Sequence, residues 1–317
     1  MRTPTIPATA AGRARTRPRA RKTRKEAAEM RAIYRRELRS YFNSMIGYIF
    51  TAVVIFFISL TFRRVNLLTG FPYFAYALAG ATPVFVLAVP LLTMRSMAEE
   101  RRNKTDQLLL TYPVSVQAVV LGKYLAMLTV LAVPLLISCV CPLVIASGGS
   151  GSFLIDYSAI FAFLCMGGMF ISIGMFISSL TDNQIIAAVG SMGALLALAI
   201  WPEIVALIPS TPDAALAGFA ALLALAALTV YGLTRRPAPA CAVGGVGAAA
   251  LAALWFTQKT NLSGMLKNFL GLFSAPDAIG NFTDYYVFDI KGLLLFISVS
   301  ALFVFLTAQS VLKRRWS

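Results

Sequence analysis

The sequence predicts an all-α chain: a polytopic transmembrane helical bundle of about eight spans, preceded by a short amphipathic helix. Three observations carry that expectation. Of 317 residues, 58% are hydrophobic and only 13% charged, about half the charged share of an ordinary soluble domain. Eight separate stretches stay apolar for about 20 residues, the length at which a helix crosses a hydrocarbon core of about 30 Å while satisfying its own backbone hydrogen bonds. Between them, Lys and Arg collect in alternate loops, as they do when cytoplasmic loops retain positive charge.

In chain order, residues 1–29 are rich in Arg, Pro, Thr and Ala without apolar periodicity, and read as a disordered, solvated cytoplasmic tail. The first 44 residues hold 13 of the 28 Lys and Arg and three acids, Glu26, Glu29 and Glu37, so they supply +10 of the net charge of +15. A signal peptide does not fit, because no small-residue cleavage site follows a short apolar core and seven further spans come after the first. Nucleic acid is not the expected partner, since no aromatic residue interleaves the arginines of residues 13–25; anionic lipid headgroups explain the same charge. Over residues 30–44, Ile33, Tyr34, Leu38, Tyr41 and Phe42 share half of a helical wheel while Arg35, Arg36 and Arg39 take the other half. That is an amphipathic helix on the membrane surface, or alternatively an extension of the first span.

The remainder, 45–317, contains the spans: Ile46–Phe62, Tyr73–Met94, Tyr124–Ala146, Tyr157–Leu180, Ile185–Ile208, Ala214–Leu233, Cys241–Phe256 and Gly292–Leu312. With the N-terminus inside, ten Lys and Arg beyond the basic head fall in cytoplasmic pieces and five in external ones, which places both termini in the cytoplasm of a bacterial inner-membrane protein. Along the fifth span, the small residues Ala187, Gly190, Ser191 and Ala194 suit close helix approach, either between copies of the chain or within one.

Composition also excludes chemistry. The chain has no His, which removes imidazole acid–base catalysis and the His-containing metal and nucleophile constellations. Cys139, Cys141, Cys165 and Cys241 lie inside apolar runs, as small hydrophobes do. No G-x-x-x-x-G-K-[ST] stretch is present, so the chain has no phosphate-cradling loop. Glu203, after Trp201–Pro202, sits at an interfacial aromatic and helix break, with a place on a substrate path as the alternative. No catalytic residue, metal ligand or cofactor is therefore expected on this chain. An ion-gradient-driven transporter or channel is the competing class, and it normally carries ionisable residues mid-membrane, which this chain nearly lacks.

The informative segment is the loop between the second and third spans. It opens with Glu99, Glu100, Arg101 and Arg102, continues through Thr105 and Asp106 into Leu108, Leu109 and Leu110, and breaks at Pro113. A merely solvated loop needs no leucine run. Such residues rest on a membrane surface or dock into a groove of another protein.

The run from Glu99 to Lys123, with EER, NKTDQLLLTYPVS and VVLGK, resembles the loop after the second span in type-two ABC exporter permeases, and most closely the permeases grouped with gliding-motility transporters. ISSLTD at Ile177–Asp182 and the final FDIKGLLLFISVSALFVFLTAQSVLKRRW extend the likeness. Lys104 stands where that family has Gly, and Gln107 where Glu is common. The resemblance implies a six-helix permease core with an extra hairpin over Ala214–Phe256, and a separate ATPase subunit that binds ATP and Mg. It further implies a dimer of permeases, and a coupling loop comprising Glu99, Glu100, Arg101, Arg102, Thr105, Asp106, Leu108, Leu109 and Pro113. Thr181 and Asp182 are implied as a second cytoplasmic contact.

Overall fold

The computed structural model describes residues 17–103, 115–149, 151–234, 245 and 264–315. All regular structure among them is helical. The chain divides into two compact units, one formed by residues up to Leu196 together with those from Asn281 onward, the other by Ala197–Gly280.

The larger unit begins with α1, Arg17–Asn43. Its start corrects the expectation of a disordered tail to residue 29: Lys, Arg, Ala and Glu are good helix formers even without an apolar stripe, and Pro18 falls in the first turn, where its missing N–H costs nothing. α2, Met45–Phe62, continues as a π-helical turn over Arg63–Leu68. The second apolar run forms two helices, α3 Phe74–Gly80 and α4 Thr82–Thr93, bent by 56°. Pro83 causes the break, since it offers no N–H and its ring crowds the carbonyl four residues earlier. After α5, Ala98–Arg102, comes α6, Val116–Ser138, then α7, Val140–Ser147. Together α6 and α7 form a 32-residue apolar rod, about 48 Å long and so longer than a hydrocarbon core. The excess lies at the N-terminal end of α6, eight residues before the expected start of the span.

α8, Phe153–Leu180, is the centre of this unit. It packs along α14, Ile290–Arg315, and against α3, α4, α6 and α7. Of its apolar window, 72% is buried within the chain, against 28% for α2 and for α14. The latter two turn large apolar faces outward, such as Ile49, Phe56 and Leu60 on α2 and Leu294, Ile297 and Phe305 on α14, which is the arrangement a bilayer solvates. Glycines on α8 let its neighbours close in. A Cβ at Gly174 would lie 2.3 Å from Thr93 Oγ1, and one at Gly167 2.3 Å from a Leu131 methyl.

Among the described residues, four helices are long and apolar enough to cross a membrane, and five if the bent pair is one span. The fifth expected span is shorter than the sequence suggests: α9 covers Gln184–Ala199 and gives way to α10, Trp201–Ala206. Pro202 does not extend the preceding helix, for the same reason as Pro83. On α9, Ala187 and Ser191 are buried, and a Cβ at Gly190 would meet Ile177 of α8 at 3.2 Å, so packing within one chain accounts for them. The expected seventh span, Cys241–Phe256, lies outside the described residues except for Gly245.

In the smaller unit, α11, Pro212–Thr234, packs on α12, Met265–Gly271, around Ala215 and Leu266. The Trp201 indole N–H donates to the Leu270 carbonyl at 2.9 Å, so this aromatic is anchored by protein as well as by its apolar body. α13 spans Ala275–Thr283.

Candidate functional site

The charged residues at the end of the second apolar run form a cluster instead of a solvated loop. The N-terminal excess of α6 makes it possible, because it sets Gly122 and Lys123 against α1. A Cβ at Gly122 would sit 3.1 Å from the Ile33 side chain and 3.2 Å from the Met30 carbonyl, so the glycine lets α1 approach closely and a larger side chain would press on it. Tyr34 Oη and Thr129 Oγ1 meet at 3.0 Å along the same seam.

Lys123 lies at the centre, its side chain only 3% exposed. Its ammonium donates to the Ser96 carbonyl at 2.8 Å and pairs with Glu100 at 2.8 Å and Glu37 at 3.4 Å. Arg36 closes the group, with Nη2 at 2.8 Å from Glu37 and 3.3 Å from Glu100. Two cations thus balance two carboxylates, and each acid touches both cations. A buried charge is tolerated in this way, paired and hydrogen-bonded. Burial and the nearby Glu37 carboxylate push the Tyr41 phenol well above its usual range, so it stays protonated and donates to the Leu92 carbonyl.

α5 is held from its other side by α8. Ser178 Oγ donates to the Met94 carbonyl at 3.2 Å and accepts the Met97 and Ala98 N–H groups at 3.3 and 3.2 Å. One hydroxyl therefore ties the turn between α4 and α5 to the end of α8. Arg95 grips Glu99 through two parallel bonds at 2.8 and 2.9 Å, which stiffens the turn into α5. Arg101 approaches Asp182 at 3.7 Å, with Asp182 66% exposed, a contact that orients more than it stabilises.

The residues singled out by sequence divide accordingly. Glu99, Glu100, Arg101, Arg36 and Asp182 enter this network, and Arg102 is exposed beside it. Thr181 accepts the Asn183 N–H at the exit of α8. Arg35 and Arg39 lie on the exposed face of α1, while Tyr41 on the opposite face is buried. Thr105, Asp106, Leu108, Leu109 and Pro113 lie outside the described residues. Sequence reasoning passed over Glu37, Lys123 and Ser178. The available signal was Lys123 itself, a lone charge within the apolar run VVLGKYLAM.

No group of three or more metal-ligating side chains occurs among the described residues. The arrangement offers instead a braced platform: α1, α5, α6 and α8 meet where the chain enters residues 104–114. No curated protein matches this sequence significantly. Residues 59–231, more than half of the chain and including α5 and all of α8 and α9, match the family described as ABC-2 family transporter protein. This helical membrane protein therefore belongs to the ABC-2 transporter family.

Proposed function

We propose that the chain is the membrane-spanning permease subunit of an ATP-driven exporter, moved by a separate ATPase that docks on the segment 99–114. The observation that carries this reading is the Arg36–Glu37–Glu100–Lys123 cluster. It makes the entry to the docking segment rigid with α1 and α6, so displacement applied there reaches the membrane helices instead of dissipating in a loop. An ATPase can move the permease only if docking differs in energy between its nucleotide states, and a braced platform preserves that difference.

On this reading the charged cluster is cytoplasmic, and eight spans place both termini on that side. Two permease copies work with two ATPases, which hold the ATP and Mg. Arg35 and Arg39 face lipid headgroups. The likeness of the loop and the last span to the gliding-motility group supports that placement within the family. The test is purification of the tagged chain from native membranes. A soluble subunit with a phosphate-binding loop should accompany it, and the chain stripped of that subunit should hydrolyse no ATP. Turnover by the isolated chain, or the consistent absence of such a subunit, overturns the reading.

A further inference from the structure

The Ser178 contact occupies one end of α8, and the other end makes a contact of the same kind. Asp156, in the first turn of α8, is fully buried. Its Oδ1 accepts the Ala75 N–H at 3.1 Å, with the Phe74 N–H beside it. Its Oδ2 is buried and accepts no hydrogen bond among the described residues. Burying a carboxylate is costly unless it is held by donors, and the donors here are the first amides of α3. The two contacts are in register: Asp156 and Ser178 are 22 residues apart on α8, and Ala75 and Met97 are 22 apart on the segment they grip. On a straight helix that is about 33 Å. α8 therefore holds the bent span at both ends, with the 56° break between the two grips.

The outer piece between grip and break is α3, seven residues long. A helix of two turns has little stability of its own, so its position is set by what holds it. Besides Asp156, Asn66 Nδ2 donates to the Phe71 and Tyr73 carbonyls at 2.7 and 3.0 Å, and the Tyr73 ring lies 4.3 Å from that of Tyr286. Tyr286 adopts φ of 56°, a conformation uncommon for a bulky residue. The Phe74, Ala75, Ala77 and Leu78 side chains are buried while Tyr76 is 48% exposed.

Resting on the permease reading above, we infer that α8 is a clamp carrying displacement of α5 to α3, that α3 is the moving outer gate segment, and that Asp156 is the residue positioning it. The hinge is the Gly80–Ala81 link, where Pro83 has already removed a helical hydrogen bond. Asp156 acts through the backbone of α3 and needs no contact with cargo.

The test uses the permease–ATPase complex in proteoliposomes, with Cys139, Cys141, Cys165 and Cys241 replaced by Ala and Tyr76→Cys as the reporter. Labelling by a membrane-impermeant maleimide is timed without nucleotide and with ATP plus vanadate. The parent should change its labelling rate at least fivefold between the two states. Asp156→Leu, similar in shape but unable to accept the amides, should reduce that change to less than twofold while the complex keeps hydrolysing ATP within twofold of the parent. Asp156→Asn, which retains an acceptor oxygen, should keep most of the change. Should Asp156→Leu fail to insert, Asp156→Ala takes its place. A response in Asp156→Leu or Asp156→Ala equal to the parent's overturns the clamp, and so does its loss in Asp156→Asn. A parent chain that assembles with no ATPase overturns the permease reading and the clamp together, and the pull-down tells that case apart.

Discussion

Replacing Lys123 by Met removes one charge and leaves the apolar stem of the side chain in place. The lysine Nζ has three partners, the Ser96 carbonyl and the Glu100 and Glu37 carboxylates. After substitution, two acids face each other with only Arg36 between them, and a buried carbonyl loses its donor. Removing one member of a buried pair costs about 3–5 kcal/mol. Glu37 and Glu100 keep 14% and 21% of their side chains exposed, so water can reach them and the lower end, about 3 kcal/mol, is expected. That is a factor of roughly 150 in the folded-to-unfolded ratio. The assay is unfolding of the purified chain in lipid nanodiscs for Lys123→Met, Glu100→Gln and the double variant. Groups in direct contact couple by about 0.5–3 kcal/mol, so the double variant should be less damaged than the two single changes added together. Additivity within about 0.5 kcal/mol, or a Lys123→Met protein as stable as the parent, would refute the cluster as a brace.

Gly174→Ala should destabilise by about 1–3 kcal/mol, because the new methyl meets the buried Thr93 side chain; Thr93→Ala should recover part of the loss in the same unfolding measurement, and a neutral Gly174→Ala argues against the α4–α8 packing. Gly122→Leu should lift α1 from α6, and limited trypsin digestion at Arg35 and Arg39 should then proceed several-fold faster in the variant, since protection follows local opening. Equal digestion rates contradict the seam.

Much of the fold is legible because lipid-crossing helices announce themselves locally. α2, α8 and α14 begin and end within a few residues of their apolar runs. Other features depend on information outside the run. α1 reaches back to Arg17 through helix propensity in a strongly basic stretch, where hydropathy gives no signal. α6 begins well before its apolar limit because Gly122 and Lys123 find partners on α1 and α5. Pro202 was visible as a breaker and Pro83 was passed over inside the run Tyr73–Met94, because whether a proline bends a span or ends it is decided by packing around it.

The site was half legible for the same reason. Dense charge beside a leucine run drew attention to Glu99, Glu100 and Arg101 on residue type alone. Lys123 and Glu37 entered only as terms in the charge distribution, because their partners lie 23 and 86 positions away in sequence. Asp156 carries no signal of its role in the sequence, because its donor Ala75 lies 81 residues away.

The most direct measurement of the central claim is ATPase capture by the Leu108→Ser, Leu109→Ser double variant. Each leucine fully buried in a docking groove contributes about 1.5–3 kcal/mol, so the pair should weaken association by at least a hundredfold and abolish transport while membrane insertion stays normal. Lys259 and Lys267, which the proposed eight-span orientation assigns to the external side, serve as the control, and their replacement should leave association unchanged. A double variant that binds its ATPase with parental affinity and transports normally would contradict the account, and those leucines would then belong to the bilayer surface.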